Sequence, residues 1–156
     1  MVYYGKAEST LFHVSCLTLN TNIAIINTLV LLTSSYFVAT AMQYLKKENV
    51  KKSADYIGLT IILGLLFVCM KSVDYYLKIQ AGEFLTTNTF YTFYWILTAF
   101  HLIHVLIGLS ILIYFYITIR KNNTKMEFTD LMASAAFWHM CDLIWLLLFP
   151  VLYLIF

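Results

Sequence analysis

Charge is scarce in this chain. Asp, Glu, Lys and Arg make up 12% of its 156 residues, about half the share found in soluble globular domains. Proline occurs once, at Pro150, while apolar residues reach 62% and the mean hydropathy is +0.80. Together these values exclude a soluble domain of ordinary make-up and point to an integral membrane protein. The net charge of +2 is too small for a nucleic-acid-binding surface, so the basic residues are read as topology signals. Cysteine is sparse too: Cys16, Cys69 and Cys141 form no CxxC pair. Two of them lie inside apolar runs and are read as small buried hydrophobes, not as a disulfide or a thiolate metal site. No basic segment leads into a short apolar run with a small-residue cleavage site, so a secretory signal is not expected.

What is present is a series of long apolar runs. From Phe90 to Ile119 there is no charged residue, whereas about 20 apolar residues suffice to cross a bilayer. Four spans are predicted within a single membrane domain, 1–156: about 23–45, 56–77, 90–119 and 131–156. The stretch before them, residues 1–19, is mixed and amphipathic, and His13 reads as an interfacial residue. The first span opens on Asn20-Thr21-Asn22, which is good capping chemistry, and carries Asn27, Thr28, Thr33, Ser34, Ser35 and Thr40. Small and hydroxylated residues let membrane helices approach closely, with Ser35 and Ala39 as a small-xxx-small pair. The competing reading of each hydroxyl is a bond back to its own i−4 carbonyl. Gly58 and Gly64 are candidate close-contact points in the second span. Lys71 and Asp74, three apart near its end, share a helix face and are predicted to form an ion pair while the lysine snorkels.

Four spans also predict a sidedness. The loops 46–55 and 120–130 share one side and carry Lys46, Lys47, Lys51, Lys52, Arg120, Lys121 and Lys125, against Lys6, Lys71 and Lys78 on the other. The positive-inside rule makes the lysine-rich loops cytoplasmic and places both termini outside, as in a bacterial-type inner membrane.

Two polar clusters interrupt the last two spans: His101 with His104, and Trp138-His139 with Asp142. An intramembrane ionisable group is by default a hypothesis about function. Counted at 1.5 Å per residue, His104 lies roughly 22 Å from one end of its span, and His139 and Asp142 lie roughly 12–17 Å from the same side. Each pair shares a face, and helices joined by a short loop are antiparallel neighbours. An Asp–His or His–His hydrogen bond between the third and fourth spans is therefore a natural expectation. Three readings stay open on residues alone. One is an interhelical polar clasp, worth about 1 kcal/mol per bond and useful chiefly for register. The second is a metal or haem site, because three histidines and a carboxylate are a plausible ligand set. The third is a proton relay. HxxH and HxxD are weak signals at helical spacing, and no HExxH occurs.

Several segments resemble the haem–copper oxidase (cytochrome c oxidase) subunit III family. They are Leu19-Asn20-Thr21, Asn27-Thr28-Leu-Val-Leu-Leu-Thr-Ser-Ser35, and Leu63-Gly64-Leu-Leu-Phe67 with Lys71 and Asp74-Tyr75. The most distinctive are Phe100-His101-Leu-Ile-His104-Val-Leu-Ile-Gly108 and Phe137-Trp138-His139-Met-Cys-Asp142-Leu-Ile-Trp145-Leu-Leu-Leu-Phe149. The last two keep the family's FHxxHVxxG and YWHxxDxxWxxLF patterns almost intact, with Phe137 in place of the tyrosine, and the resemblance runs in order from about Leu19 to Tyr153. The stretch Ile26–Ala41 and the ending around Pro150 look closest to a short branch associated with nitric oxide reductase.

The resemblance implies an all-α bundle of transmembrane helices acting as a non-catalytic accessory subunit of a haem–copper oxidase or nitric oxide reductase. Haem and copper would then sit in a partner, catalytic subunit I, with subunit II a further candidate neighbour. It also implies phospholipid packing and support of proton uptake, and it makes His101, His104, His139, Asp142, Trp138 and Trp145 structural polar contacts. The alternative from residues alone is a self-contained membrane metal or haem protein using His101, His104, His139 and Asp142. Five-helix family members begin with a span that carries a glutamate, whereas Met1-Val-Tyr-Tyr looks like the tail of that helix, so the family's first helix is expected to be missing.

Overall fold

The computed structural model describes residues 21–80, 89–121 and 128–153, which form four helices. These are α1 (Thr21–Lys46), α2 (Val50–Gln80), α3 (Thr89–Arg120) and α4 (Phe128–Tyr153). A helix is the natural state for such segments, because in hydrocarbon every backbone N–H and C=O must be satisfied within the segment. At 1.5 Å per residue the shortest is roughly 39 Å long, enough for a 30 Å hydrocarbon core. All four are long and apolar enough to span. The expectations for residues 1–19, including His13, and for the last three residues lie outside the described residues.

The second helix starts at Val50, well before the expected Tyr56, and only Lys47–Asn49 separate it from α1. The charged stretch read as a loop is mostly helix. Lys51, Lys52 and Asp55 are exposed, so their charge is solvated and nothing in it stops a helix that projects beyond the apolar zone. Asn49 starts α2: its Oδ1 accepts from the Lys52 N–H at 3.4 Å, as an N-cap side chain does. The end of α1 is a Schellman turn. Asn49 N–H donates to Tyr44 O at 3.0 Å and Glu48 N–H to Leu45 O at 2.9 Å. Glu48 takes the left-handed position at φ 57°, where glycine is preferred. In α4 the helix begins at Phe128, so Asp130 lies in its first turn, where a carboxylate favours the positive end of the helix dipole. That helix runs through Pro150 to Tyr153.

The helices are arranged as a ring: α1 packs on α2 and α4, and α3 packs on α2 and α4. Sequential neighbours are antiparallel, and α1–α2 is the most extensive contact. The centre is occupied by Leu31, Val38, Phe67, Val105, Leu109, Trp138 and Trp145, with a second cluster of Ala41, Ala54, Ile57, Phe115, Ile119 and Leu131 towards the α1–α2 turn. Two glycines make room for one indole. A Cβ on Gly64 would lie 2.9 Å from Trp138 and 2.6 Å from Leu109, and one on Gly108 would lie 3.0 Å from Trp138. Trp138 thus seats against bare backbone of α2 and α3 from its place on α4.

Three stability predictions follow from this fold, all measured by reversible SDS unfolding from mild detergent. Gly64→Ala is expected to destabilise by about 1–3 kcal/mol through overpacking. Gly58→Ala meets only the ring edge of half-buried Tyr116 at 3.2 Å, and is expected to be neutral or to stabilise by up to about 1 kcal/mol through helix propensity. Glu48→Gly should raise stability by about 1 kcal/mol, since it relieves the left-handed strain without removing a turn bond.

Candidate functional site

The residues singled out by the sequence fall at three places. The first lies between α1 and α4. Trp138 Nε1 donates to Ser34 Oγ at 3.1 Å, and Trp145 Nε1 donates to Thr28 Oγ1 at 3.0 Å. Both indoles are buried, as are both hydroxyl residues. Ser34 in turn donates to Leu31 O at 2.6 Å and Thr28 to Ala24 O at 2.8 Å. The two readings of the hydroxyls therefore hold at once: the proton goes back to the helix, and a lone pair accepts the indole across the interface. Ser35 Oγ is hydrogen-bonded to His139 Nδ1. Asp142 is buried beneath it, with Oδ2 at 4.0 Å from that same nitrogen.

His101 and His104, although one turn apart, enter different surroundings. His101 is buried, stacked on the Trp145 ring at 5.1 Å and 29°, and meets Phe67 edge-on at 6.0 Å. Neither of its ring nitrogens has a hydrogen-bond partner among the described residues. His104 is half-buried and bonds Phe100 O through Nδ1 at 2.8 Å, with the rings of Phe100 and Phe137 beside it. The expected hydrogen bond between α3 and α4 is not what joins these helices among the described residues. The cross-helix bonds of α4 run to α1, because the face bearing Trp138, Asp142 and Trp145 turns towards it. The contact of α4 with α3 is instead made by rings and by Gly108.

The third place is charged. Lys71 Nζ lies 3.0 Å from Asp74 Oδ2 and 2.9 Å from Tyr94 Oη, and the Tyr94 hydroxyl donates to Asp74 Oδ2 at 2.8 Å. Lys78 approaches Asp74 Oδ1 at 3.6 Å. Lys71 is 2% exposed, Asp74 8% and Lys78 5%, so two ammonium groups share one carboxylate with little water. Aromatic faces supply part of the missing solvation. Lys71 Nζ sits 5.1 Å from the Tyr94 and Trp145 ring centres, and Lys78 Nζ sits 5.0 Å from that of Tyr94. Cations so placed are attracted by the ring quadrupole. Through Trp145 this cluster adjoins His101. The i, i+3 spacing exposes the Lys71–Asp74 pair to sequence reading, but Tyr94 belongs to no pattern and reaches it only because α3 lies beside α2.

A metal ion held by all four of these side chains would need their donor atoms directed at one point. Here His101 lies flat on an indole, His104 is tied to its own helix and His139 to α1. Among the described residues no group of three or more His, Cys, Asp or Glu is placed to hold an ion. The four polar residues therefore do not assemble the ligand set that their types suggested.

The charged cluster generates a prediction. Asp74→Asn removes the carboxylate that Lys71 and Lys78 both approach in the buried cluster, and is expected to cost about 3–5 kcal/mol. Asp74→Leu combined with Lys71→Met should recover part of that loss. SDS unfolding of the three proteins checks both statements.

A family model for cytochrome c oxidase subunit III matches residues 13–155. The chain is similar to a probable cytochrome c oxidase subunit 3 of Rickettsia bellii, 36% identical over 139 residues, covering 85% of this chain and 48% of that protein. It is similar to a cytochrome bo(3) ubiquinol oxidase subunit 3 of Buchnera aphidicola, 31% identical over 134 residues, 85% of this chain and 69% of that one. A probable quinol oxidase subunit 3 of Staphylococcus saprophyticus is 27% identical over 154 residues, 98% of this chain and 73% of that one. The chain spans about half the length of the rickettsial relatives it matches. With four membrane-length helices and a match over nearly its whole length, it is an integral membrane protein and belongs to the cytochrome c oxidase subunit III family.

Proposed function

We propose that this chain is a non-catalytic, subunit III-type component of a respiratory terminal oxidase complex. In this reading it packs beside a catalytic subunit I that carries haem and copper, with subunit II as a further neighbour, and supports assembly, lipid packing and proton uptake there. The observation that carries the proposal is the use made of the two histidine motifs. Trp138, Trp145 and His101 fill the bundle core, and half-buried His139 bridges α4 to α1 at the edge of a cavity of about 330 Å³, an arrangement that favours holding helices in register. Relatives named as cytochrome c and quinol oxidase subunits favour oxygen as the terminal acceptor of the complex. The likeness of Ile26–Ala41 and the C-terminal end to the nitric oxide reductase branch supports nitric oxide as the second candidate. The excess of lysine and arginine at the α1–α2 turn and the α3 end supports a cytoplasmic position for those loops, with the opposite helix ends outside.

The test is purification of the tagged full chain from its native membranes in mild detergent, followed by mass spectrometry and a reduced-minus-oxidised spectrum. Haem is expected to co-purify only in company with a larger catalytic subunit, whose identity tells oxidase from reductase. A Soret band on the isolated chain would overturn the accessory reading. A stable complex containing neither haem nor an oxidase subunit would show instead that the bundle serves as a scaffold elsewhere.

A further inference from the structure

The cavity of about 330 Å³ between α1 and α4 is lined by Ala39, Met42, Met132, Ala135, Ala136 and His139, with exposed Gln43 and Lys46 at one end. Three of these side chains carry donor atoms that suit one class of metal ion. Their register follows from the hydrogen bond between Ser35 and His139 and from the antiparallel run of the two helices. Four residues on from Ser35 and four back from His139, Ala39 stands opposite Ala135; three more bring Met42 opposite Met132. Helical side chains tilt towards the N-terminus of their own helix. Met42 therefore leans towards the level of His139, and His139 leans towards the level of Met42. The walls between them are alanine, which leaves the space open. Met42 also packs against both core clusters, which holds its backbone in place. Beneath His139, the Oδ2 of buried Asp142 lies 4.0 Å from Nδ1, and neither carboxylate oxygen has a hydrogen-bond partner among the described residues.

We propose that this cavity binds a single cuprous ion, held by the thioethers of Met42 and Met132 and the imidazole of His139. Ligand softness makes the choice. Thioether sulfur selects Cu(I), whereas zinc takes thiolate, imidazole and carboxylate, and calcium and magnesium take oxygen. Methionine is unbranched with three rotatable bonds, so both sulfurs can close on an ion much smaller than the cavity while the helices stay in place. The groups around the donors have matching roles. A ligating histidine donates its second ring N–H to a fixed acceptor. Ser35 is that acceptor for the Nδ1–H of His139, which leaves Nε2 for the metal. Two thioethers and a neutral imidazole bring no charge of their own, and a buried cation needs a counter-charge. Asp142 supplies it from behind His139 when the ion is bound, without touching the ion. Of the three histidines and one carboxylate that the residue types suggested as a ligand set, this site uses His139 alone as a ligand. It does not depend on the role proposed for the chain in an oxidase.

The experiment is titration of the full, untagged chain in mild detergent with Cu(I), kept reduced by ascorbate, in competition with the chromophoric chelator bicinchoninate. X-ray absorption at the copper edge then reads the neighbours of the bound ion. One Cu(I) per chain, with sulfur and nitrogen neighbours, is expected. Met42→Leu combined with Met132→Leu nearly conserves side-chain volume. It should lower the affinity about a hundredfold or more, at or beyond the upper end of what loss of an outer hydrogen-bond partner costs. Asp142→Asn should lower it about tenfold. Met140→Leu, at an exposed position beside His139, should change nothing, and SDS unfolding checks that each variant is folded. Failure of the wild-type chain to hold copper against the chelator would overturn the proposal, as would binding that survives the double methionine variant. Loss of binding in Cys69→Ser, which removes an exposed thiol, would move the copper to a thiolate and overturn it too. Zinc held in the same stoichiometry, and lost in the same double variant, would overturn the assignment to a soft ion.

Discussion

The bundle depends on Trp138. In water a helix bundle is held by the removal of apolar surface, but in a bilayer the lipid is as apolar as leucine, and that driving force between helices vanishes. What remains is close packing and interhelical hydrogen bonding. Trp138 provides both. Its six-membered ring presses on Gly64 and Gly108, and its N–H reaches Ser34, so one side chain touches each of the other three helices. Trp145, two turns further along, repeats the bond at Thr28. Ser34 lies opposite Trp138 and Thr28 opposite Trp145, which is the pairing of antiparallel helices in a single register. A slip of α1 by one residue would rotate both hydroxyls away from both indoles.

The opposite strategy operates near the far ends of α2 and α3. There Lys71, Lys78, Asp74 and Tyr94 place charge where little water reaches. Taking such groups out of water is costly, and pairing offsets the cost only if the remaining protons and lone pairs are also satisfied. Tyr94 performs that service from a neighbouring helix, and the rings of Tyr94 and Trp145 face the ammonium groups. The cluster therefore specifies which helix lies beside α2 more than it adds stability. His101, stacked on Trp145, marks where this charged end gives way to the aromatic centre.

Much of this was legible in the sequence, because lipid imposes strong rules. Uninterrupted apolar length exposes the spans, i, i+3 spacing exposes Lys71–Asp74, and the small and hydroxylated residues of α1 betray a helix packed on more than one side. The early start of α2 is not legible, because a run of charge reads as a loop, although exposed lysines on a projecting turn are no obstacle to a helix. The surroundings of the two histidine pairs were not legible either. Spacing says that His101 and His104 share a face of α3, but the direction of that face depends on the ring order of the helices. Tyr94 and Ser34 have partners 20 or more residues away, and nothing local in their sequence marks them.

The position of Trp138 in the chain has a consequence for biosynthesis. It lies on α4, which leaves the ribosome after α1, α2 and α3, so its seats on those helices are made earlier. Until α4 is inserted, Gly64 and Gly108 face a gap, and Ser34 has no indole to receive. α1 and α2 can pair as soon as both are inserted, through their extensive contact and the tight turn between them, but α3 still lacks the indole that ties it to them. The arrival of one side chain from α4 converts a row of inserted segments into a closed ring, so the packing of these four helices is settled in one late step and not built up evenly along them.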